Sequence, residues 1–209
     1  MKGILLAAIC CLFNEAVMAE PSSLVAWTPD TLNRLKKGNA EHGKELSGTC
    51  AGCHNETNAN PQLDGQLPTY IYKQLVDYKN GNRKDPTTAM NGLASTLSDQ
   101  DMTDVSAWYG QQAPIQGKGG GNDTTGIVFK GDGKRMEPSC SSCHGYSGQG
   151  EKVDTPRLAG QKADYLEKTL LAYKSGVRGN DIYSRMRLIA SKLSDQEIKQ
   201  LADYYSKLD

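Results

Sequence analysis

Two pentapeptides, Cys50-Ala51-Gly52-Cys53-His54 and Cys140-Ser141-Ser142-Cys143-His144, carry the residues of this chain best suited to chemistry. Two thiols at this spacing can add to the two vinyl groups of one haem while the adjacent imidazole turns onto the iron, so the motif reads as c-type haem attachment. A lone Cys-x-x-Cys would also suit a redox dithiol or half of a zinc site, and structural zinc needs four ligands. Paired zinc half-sites, however, give His54 and His144 no reason to follow their cysteines directly. Two haem c groups are expected, attached through Cys50 with Cys53 and Cys140 with Cys143, each iron taking His54 or His144.

What lies on the other face of each iron decides the function. An open site binds or activates small molecules, whereas a strong sixth ligand from the protein leaves electron transfer as the natural task. Outside the motifs the histidine is His42, in Ala40-Glu41-His42-Gly43, with nothing comparable before the second motif; it reads as an exposed helical residue rather than a ligand. Methionine is the better candidate, because a thioether favours ferrous iron and raises the potential. Met102 falls on an apolar helix face opposite Ile198 of the second half, and Met136 is too close to Cys140 to reach round the porphyrin. Met90 and Met186 each stand seven residues before the leucine of a Leu-Ser-Asp-Gln segment, in loops beyond the second helix of each half. Both are expected to be axial ligands.

The equivalence of these methionines rests on an internal duplication. Pro61-Gln62-Leu63-Asp64-Gly65-Gln66 precedes a run from Tyr70 to Gly81, and Pro156-Arg157-Leu158-Ala159-Gly160-Gln161 precedes a matching run from Tyr165 to Gly176. Leu97-Ser98-Asp99-Gln100 and Leu193-Ser194-Asp195-Gln196 then open a third matched block ending in Trp108-Tyr109 and Tyr204-Tyr205. Three blocks in one order indicate a duplicated domain.

The elements that position these groups are helical. Ile71, Leu75 and Tyr78, like Leu166, Leu170 and Tyr173, recur at the spacing of one helix face, and each run ends at a glycine suited to a C-terminal cap. Ser98-x-x-Asp101 and Ser194-x-x-Glu197 are helix-start signals. No alternating strand pattern competes, so the fold class is all-α, a few short helices around each haem. The divisions expected are 20–111 for the first domain, an exposed Gly- and Pro-containing linker at 112–125, and 126–209 for the second.

Residues 1–19 read as a secretory signal: Lys2, a short apolar run to Phe13, and Val17-Met18-Ala19 before the cleavage point. Asn14 and Glu15 interrupt well short of the ~18 apolar residues that span a bilayer, so no transmembrane segment is expected in the mature chain. Of the six cysteines, Cys10 and Cys11 lie in this leader and the motifs consume the rest, leaving none for a disulfide. Export to the periplasm suits the haem reading.

On these residues the mature chain resembles the cytochrome c4 family of dihaem class I cytochromes. The resemblance implies two tandem class I cytochrome c domains with His/Met-ligated haems, propionate edges facing each other. It also implies that the carbonyls of Pro61 and Pro156 accept from the outer ring nitrogens of His54 and His144. The first copy departs from the family pattern at Asn55, where glycine is usual as at Gly145, and its loop before Pro61 is five residues shorter than the one before Pro156. Unequal haem potentials are therefore expected.

The formal net charge is zero, but residues 20–114 hold 8 basic and 11 acidic side chains and residues 115–209 hold 15 and 12. Such a dipole can orient a protein between two redox partners, though a solvated surface would read the same. Neither half is basic enough for nucleic acid. The function expected is a periplasmic electron carrier without a substrate of its own, passing electrons between redox protein partners toward a terminal oxidase. The alternative is the electron-acceptor subunit of a periplasmic dehydrogenase, for example one oxidising reduced sulfur compounds. A peroxidase or gas-binding protein would need a labile iron site.

Overall fold

Ser98 and Ser194 set the frame of each half by starting its last helix. The Ser98 hydroxyl accepts from Asp101 N–H at 3.1 Å while the Asp101 carboxylate accepts from Ser98 N–H at 2.8 Å; Ser194 and Glu197 do the same at 3.2 and 2.8 Å. Each such cap stabilises its helix by about 1 kcal/mol. The computed structural model describes residues 28–151 and 153–209; the expected leader 1–19, with Cys10 and Cys11, lies outside them.

In the first half, α1 (Pro29–Leu35), α2 (Ala40–Ala51), α3 (Pro68–Lys79), α4 (Ala89–Thr96) and α5 (Asp99–Gln111) follow in order. In the second, α6 (Ile127–Lys130), α7 (Ser141–His144), α8 (Ala163–Lys174), α9 (Arg185–Ala190) and α10 (Asp195–Ser206) repeat the plan. Helix α5 packs on α2 and α3, and α10 on α8. Gly81 and Gly176, each just past the end of α3 or α8, take φ of 77° in both copies, the left-handed turn that lets the chain leave the helix. Among the described residues there are no strands, only isolated bridges at Asp132–Glu137 and Glu151–Thr155.

Each half buries its own core. Ile71, Tyr72, Leu75, Met102, Val105 and Tyr109 form the first; Ile127, Val128, Leu166, Leu193, Ile198, Leu201 and Tyr205 belong to the second. Met102 and Ile198, equivalent in the repeat, are both fully buried.

The halves differ most before their motifs. The first motif ends a twelve-residue helix, whereas the second follows one helical turn and a tight reversal held by Asp132 and Glu137, whose N–H and C=O groups exchange two bonds at 2.9 Å. Gly131 and Met136, both at positive φ, make that reversal possible.

The crossing of α2 over α5 depends on Gly43, where a Cβ would collide with the Asp104 carbonyl. Gly43→Ala is expected to lower stability by about 1–3 kcal/mol through overpacking, read as a lower denaturation midpoint at unchanged slope.

The segment expected to be an exposed linker is partly anchored. Its Pro114 lies against Gly65 and its Ile115 carbonyl against Gly160, and Gly117 N–H donates to the Leu208 carbonyl at 2.9 Å. Gly65 and Gly160 are repeat equivalents at φ of 68° and 72°, so the linker uses the same bare backbone turn in each copy.

Candidate haem sites and the interface between them

In each motif the two cysteines face different surroundings. Cys50 and Cys140 pack against the cores, while Cys53 and Cys143 are exposed. Burial is the main cause that pushes the Cys140 thiol up to about 12, with the charges of Glu137 and Asp123 adding to it. Tyr109 and Tyr205, the closing residues of the matched blocks, contact Cys50 and Cys140 respectively.

The histidines are prepared for one task. His54 Nδ1 lies 2.8 Å from the Pro61 carbonyl, and His144 Nδ1 lies 3.0 Å from that of Pro156. A carbonyl can only accept, so Nδ1 carries the proton and Nε2 keeps its lone pair for a metal. Burial lowers the proton affinity of both rings.

Met90 and Met186 are each the second residue of a short helix, not loop residues: α4 and α9 both begin after a left-handed residue, Thr88 at φ 61° and Ser184 at φ 56°. An aspartate anchors the first turn of each, with Asp85 accepting from Met90 N–H and Asp181 from Arg187 N–H. The same strained entry in two diverged copies places both methionines at one register. His42 sits elsewhere, its Nδ1 2.8 Å from Asp104 on α5.

The two halves meet through pseudo-symmetric hydrogen bonds. Gln66 exchanges two bonds with the backbone of Arg157, at 3.0 and 2.8 Å, and Gln161 exchanges two with the backbone of Gln62, at 2.9 and 3.0 Å. Arg83 donates to Tyr165 Oη at 3.3 Å, and Arg178 donates to Tyr70 Oη at 3.0 Å. Each guanidinium also lies over a tyrosine of its own half, Tyr78 at 4.7 Å and Tyr173 at 4.6 Å. Sequence reading singled out Gln66, Gln161 and the tyrosines only as repeat markers, and it missed the arginines. The Gly-x-Arg shared by Gly81-Asn82-Arg83 and Gly176-Val177-Arg178 was the available signal.

These arginines bear on whether a haem fits. Neither makes an ion pair among the described residues: their partners are amide, phenol and ring groups, and Arg178 Nη1 is buried without a hydrogen-bond partner. Burial raises the Tyr165 proton affinity, yet the neighbouring Arg83 and Arg178 outweigh it and bring the phenol down. Buried cations need compensating anions, and the propionates of two haems would supply them if they lay where the halves meet.

A helical fold with two thiol pairs, two polarised imidazoles and two methionines defines a dihaem c-type cytochrome. Residues 33–108 match the family described as cytochrome c oxidase, cbb3-type, subunit III, and residues 132–209 match cytochrome c. The chain is 35% identical to cytochrome c4 of Thiocapsa roseopersicina over 78% of this chain and 89% of the relative. It is 34% identical to the thiosulfate dehydrogenase electron acceptor of Stutzerimonas stutzeri, strain A1501, over 76% of this chain and 78% of that protein. The crystal structure of reduced recombinant cytochrome c4 from Pseudomonas stutzeri superposes with a TM-score of 0.77 at 32% identity, covering 82% of this chain and all of that one. The chain belongs to the cytochrome c4 family: it carries two covalently bound haem c groups and transfers electrons. Among the described residues no helix is long and apolar enough to cross a membrane.

Proposed function

We propose that this chain works in the periplasm as a non-catalytic shuttle, exported by residues 1–19, with one haem in 20–111 and the other in 126–209, joined by 112–125. Cys50 and Cys53 hold the first porphyrin, with His54 and Met90 on its iron; Cys140 and Cys143 hold the second, with His144 and Met186. The observation that carries the ligand assignment is the shared register of Met90 and Met186 beyond a left-handed residue.

When bound, each haem supplies reversible one-electron chemistry at iron. The protein's own groups do the rest. Pro61 and Pro156 accept from the imidazoles and fix their planes; Met90 and Met186 would close the sixth position against small molecules, and Arg83 and Arg178, bonded to Tyr165 and Tyr70, would hold the propionates. With both propionate sets held at one interface, an electron would pass between the irons without a partner.

Expressed with haem attachment, the chain should show two haems per polypeptide, a long-wavelength methionine–ferric charge-transfer band, and ferrous forms that refuse carbon monoxide at neutral pH. Ready carbon monoxide binding would replace the shuttle by a reading with an open iron. The second reading, a dedicated electron acceptor of a dehydrogenase, is favoured by the 34% identity to the Stutzerimonas stutzeri acceptor. Co-purification with a second polypeptide that reduces this chain on adding thiosulfate would select it.

A further inference from the structure

Glu137 is a buried carboxyl group that electron transfer by itself does not require. Its side chain has no exposed surface, and neither oxygen makes a hydrogen bond. The nearest cation is Arg135, with Nη2 at 3.3 Å, but that guanidinium is already engaged. Its Nε donates to Asp132 at 2.8 Å, and its terminal nitrogens grip Glu197 at 2.9 and 3.1 Å. The second nearby cation, Lys192, donates to the Met136 carbonyl at 3.0 Å rather than to a carboxylate. Three carboxylates, Asp132, Glu137 and Glu197, thus share two cations, and the one left without a donor is the buried one.

The position is fixed and close to the second porphyrin's attachment. Glu137 pairs on both backbone groups with Asp132, lies three residues before Cys140, and its charge acts on the Cys140 sulfur. Burial first, then Glu197 and Asp132, raise its proton affinity against the pull of Arg135 and Lys192. At the equivalent position of the first half, the third residue before Cys50 is Ser47, whose hydroxyl donates to the Lys44 carbonyl.

Resting on the two-haem reading above, we infer that Glu137 is the proton-binding group that ties reduction of the second haem to uptake of a proton. Ferric haem carries a positive charge that favours the carboxylate. One electron from a redox partner removes that charge, and the carboxylate takes one proton from solvent: Fe(III) with Glu137–COO⁻, plus an electron and a proton, becomes Fe(II) with Glu137–COOH. The second haem's potential then falls as pH rises, toward the one-proton limit of about 59 mV per tenfold change in proton concentration. The first haem's potential stays flatter.

The test is a redox titration of the holoprotein from about pH 5 to about pH 9, upward from the ordinary glutamate value, on wild type and Glu137→Gln. Wild type should give one sloping and one flat midpoint, and E137Q should flatten the slope and raise that midpoint at high pH. Two flat midpoints in wild type, or a slope that survives in E137Q, overturns the inference. Should E137Q fail to hold haem, the reduced-minus-oxidised infrared difference spectrum of wild type decides: reduction must produce a protonated carboxyl band, and its absence overturns the inference. A wild-type holoprotein with fewer than two haems, by contrast, shows in the visible spectrum and counts against the two-haem reading itself.

Discussion

In the Met186→His variant one of the two midpoint potentials is expected to fall by roughly 0.2 V, a fraction of the ~0.8 V range that axial ligands set, while the other barely moves. Thioether sulfur is a weak donor that favours ferrous iron, and imidazole favours the ferric state, so the exchange lowers the potential without opening the site. The charge-transfer band should lose about half its intensity. Met90→His should lower the other midpoint instead, and the two variants together assign each potential to its half of the chain. Met136→Leu is the control, because Met136 is 82% exposed and outside both proposed ligand sets. If Met186→His left both midpoints in place, the sixth ligand of the second haem would have to come from elsewhere.

If the second haem is the higher of two modestly unequal ones, a downward shift of this size would reverse their order. It would therefore also stop, or strongly slow, electron flow in one direction through the pair. The direction that slows identifies which half receives electrons.

The parts of this molecule that were legible in the sequence are those written locally. The two Cys-x-x-Cys-His motifs, the Ser98 and Ser194 capping boxes, and the glycines after α3 and α8 each depend on residues within five positions of one another. Repetition extended this reach, since Met90 and Met186 stood out only when two diverged copies were compared. The methionines were nonetheless expected in loops, because left-handed Thr88 and Ser184 make no side-chain cap, and neither is followed three residues on by the carboxylate of a capping box. What stayed hidden was pairwise and distant. Arg83 with Tyr165, Arg178 with Tyr70, and Gln66 with Arg157 join residues more than 80 positions apart, and each is an ordinary surface residue to any local reading. Glu137 was hidden for a different reason: nothing nearby in sequence shows that a reversal between Asp132 and Glu137 turns this carboxylate inward.

The interface carries one more non-local feature, and it breaks the pseudo-symmetry. On α3, Lys73 and Asp77 form an i,i+4 ion pair at 2.6 Å, with side chains 2% and 0% exposed. Lys73 also donates to the Asn180 carbonyl at 2.6 Å, and the Asn180 amide donates to Asp77 at 2.7 Å and to Gln74 at 2.9 Å. The second copy has Lys168 and Ala172 at the matching places, and Lys168 is exposed. The second half carries one residue more than the first between Arg178 and Met186, and Asn180 within this stretch reaches the pair. The first half therefore contributes a buried charge pair, and the second contributes the amide that completes it.

Lys73→Met should cost about 3–5 kcal/mol, because it leaves Asp77 charged, buried and short of a cation. Lys73→Met combined with Asp77→Leu should recover most of that loss, since replacing both partners with apolar groups removes the uncompensated charge rather than exposing it. Lys168→Met, at the exposed equivalent, should stay within about 0.5 kcal/mol of wild type. Chemical denaturation followed by haem absorbance separates these cases. Because the bonds from Asn180 tie the halves together, the Lys73 variant should also split a single transition into two as the halves unfold independently. A single variant that matched the double one in stability would mean that Asp77 finds water or a proton when Lys73 is gone. The latch would then be polar packing alone rather than a charge pair that locks the relay.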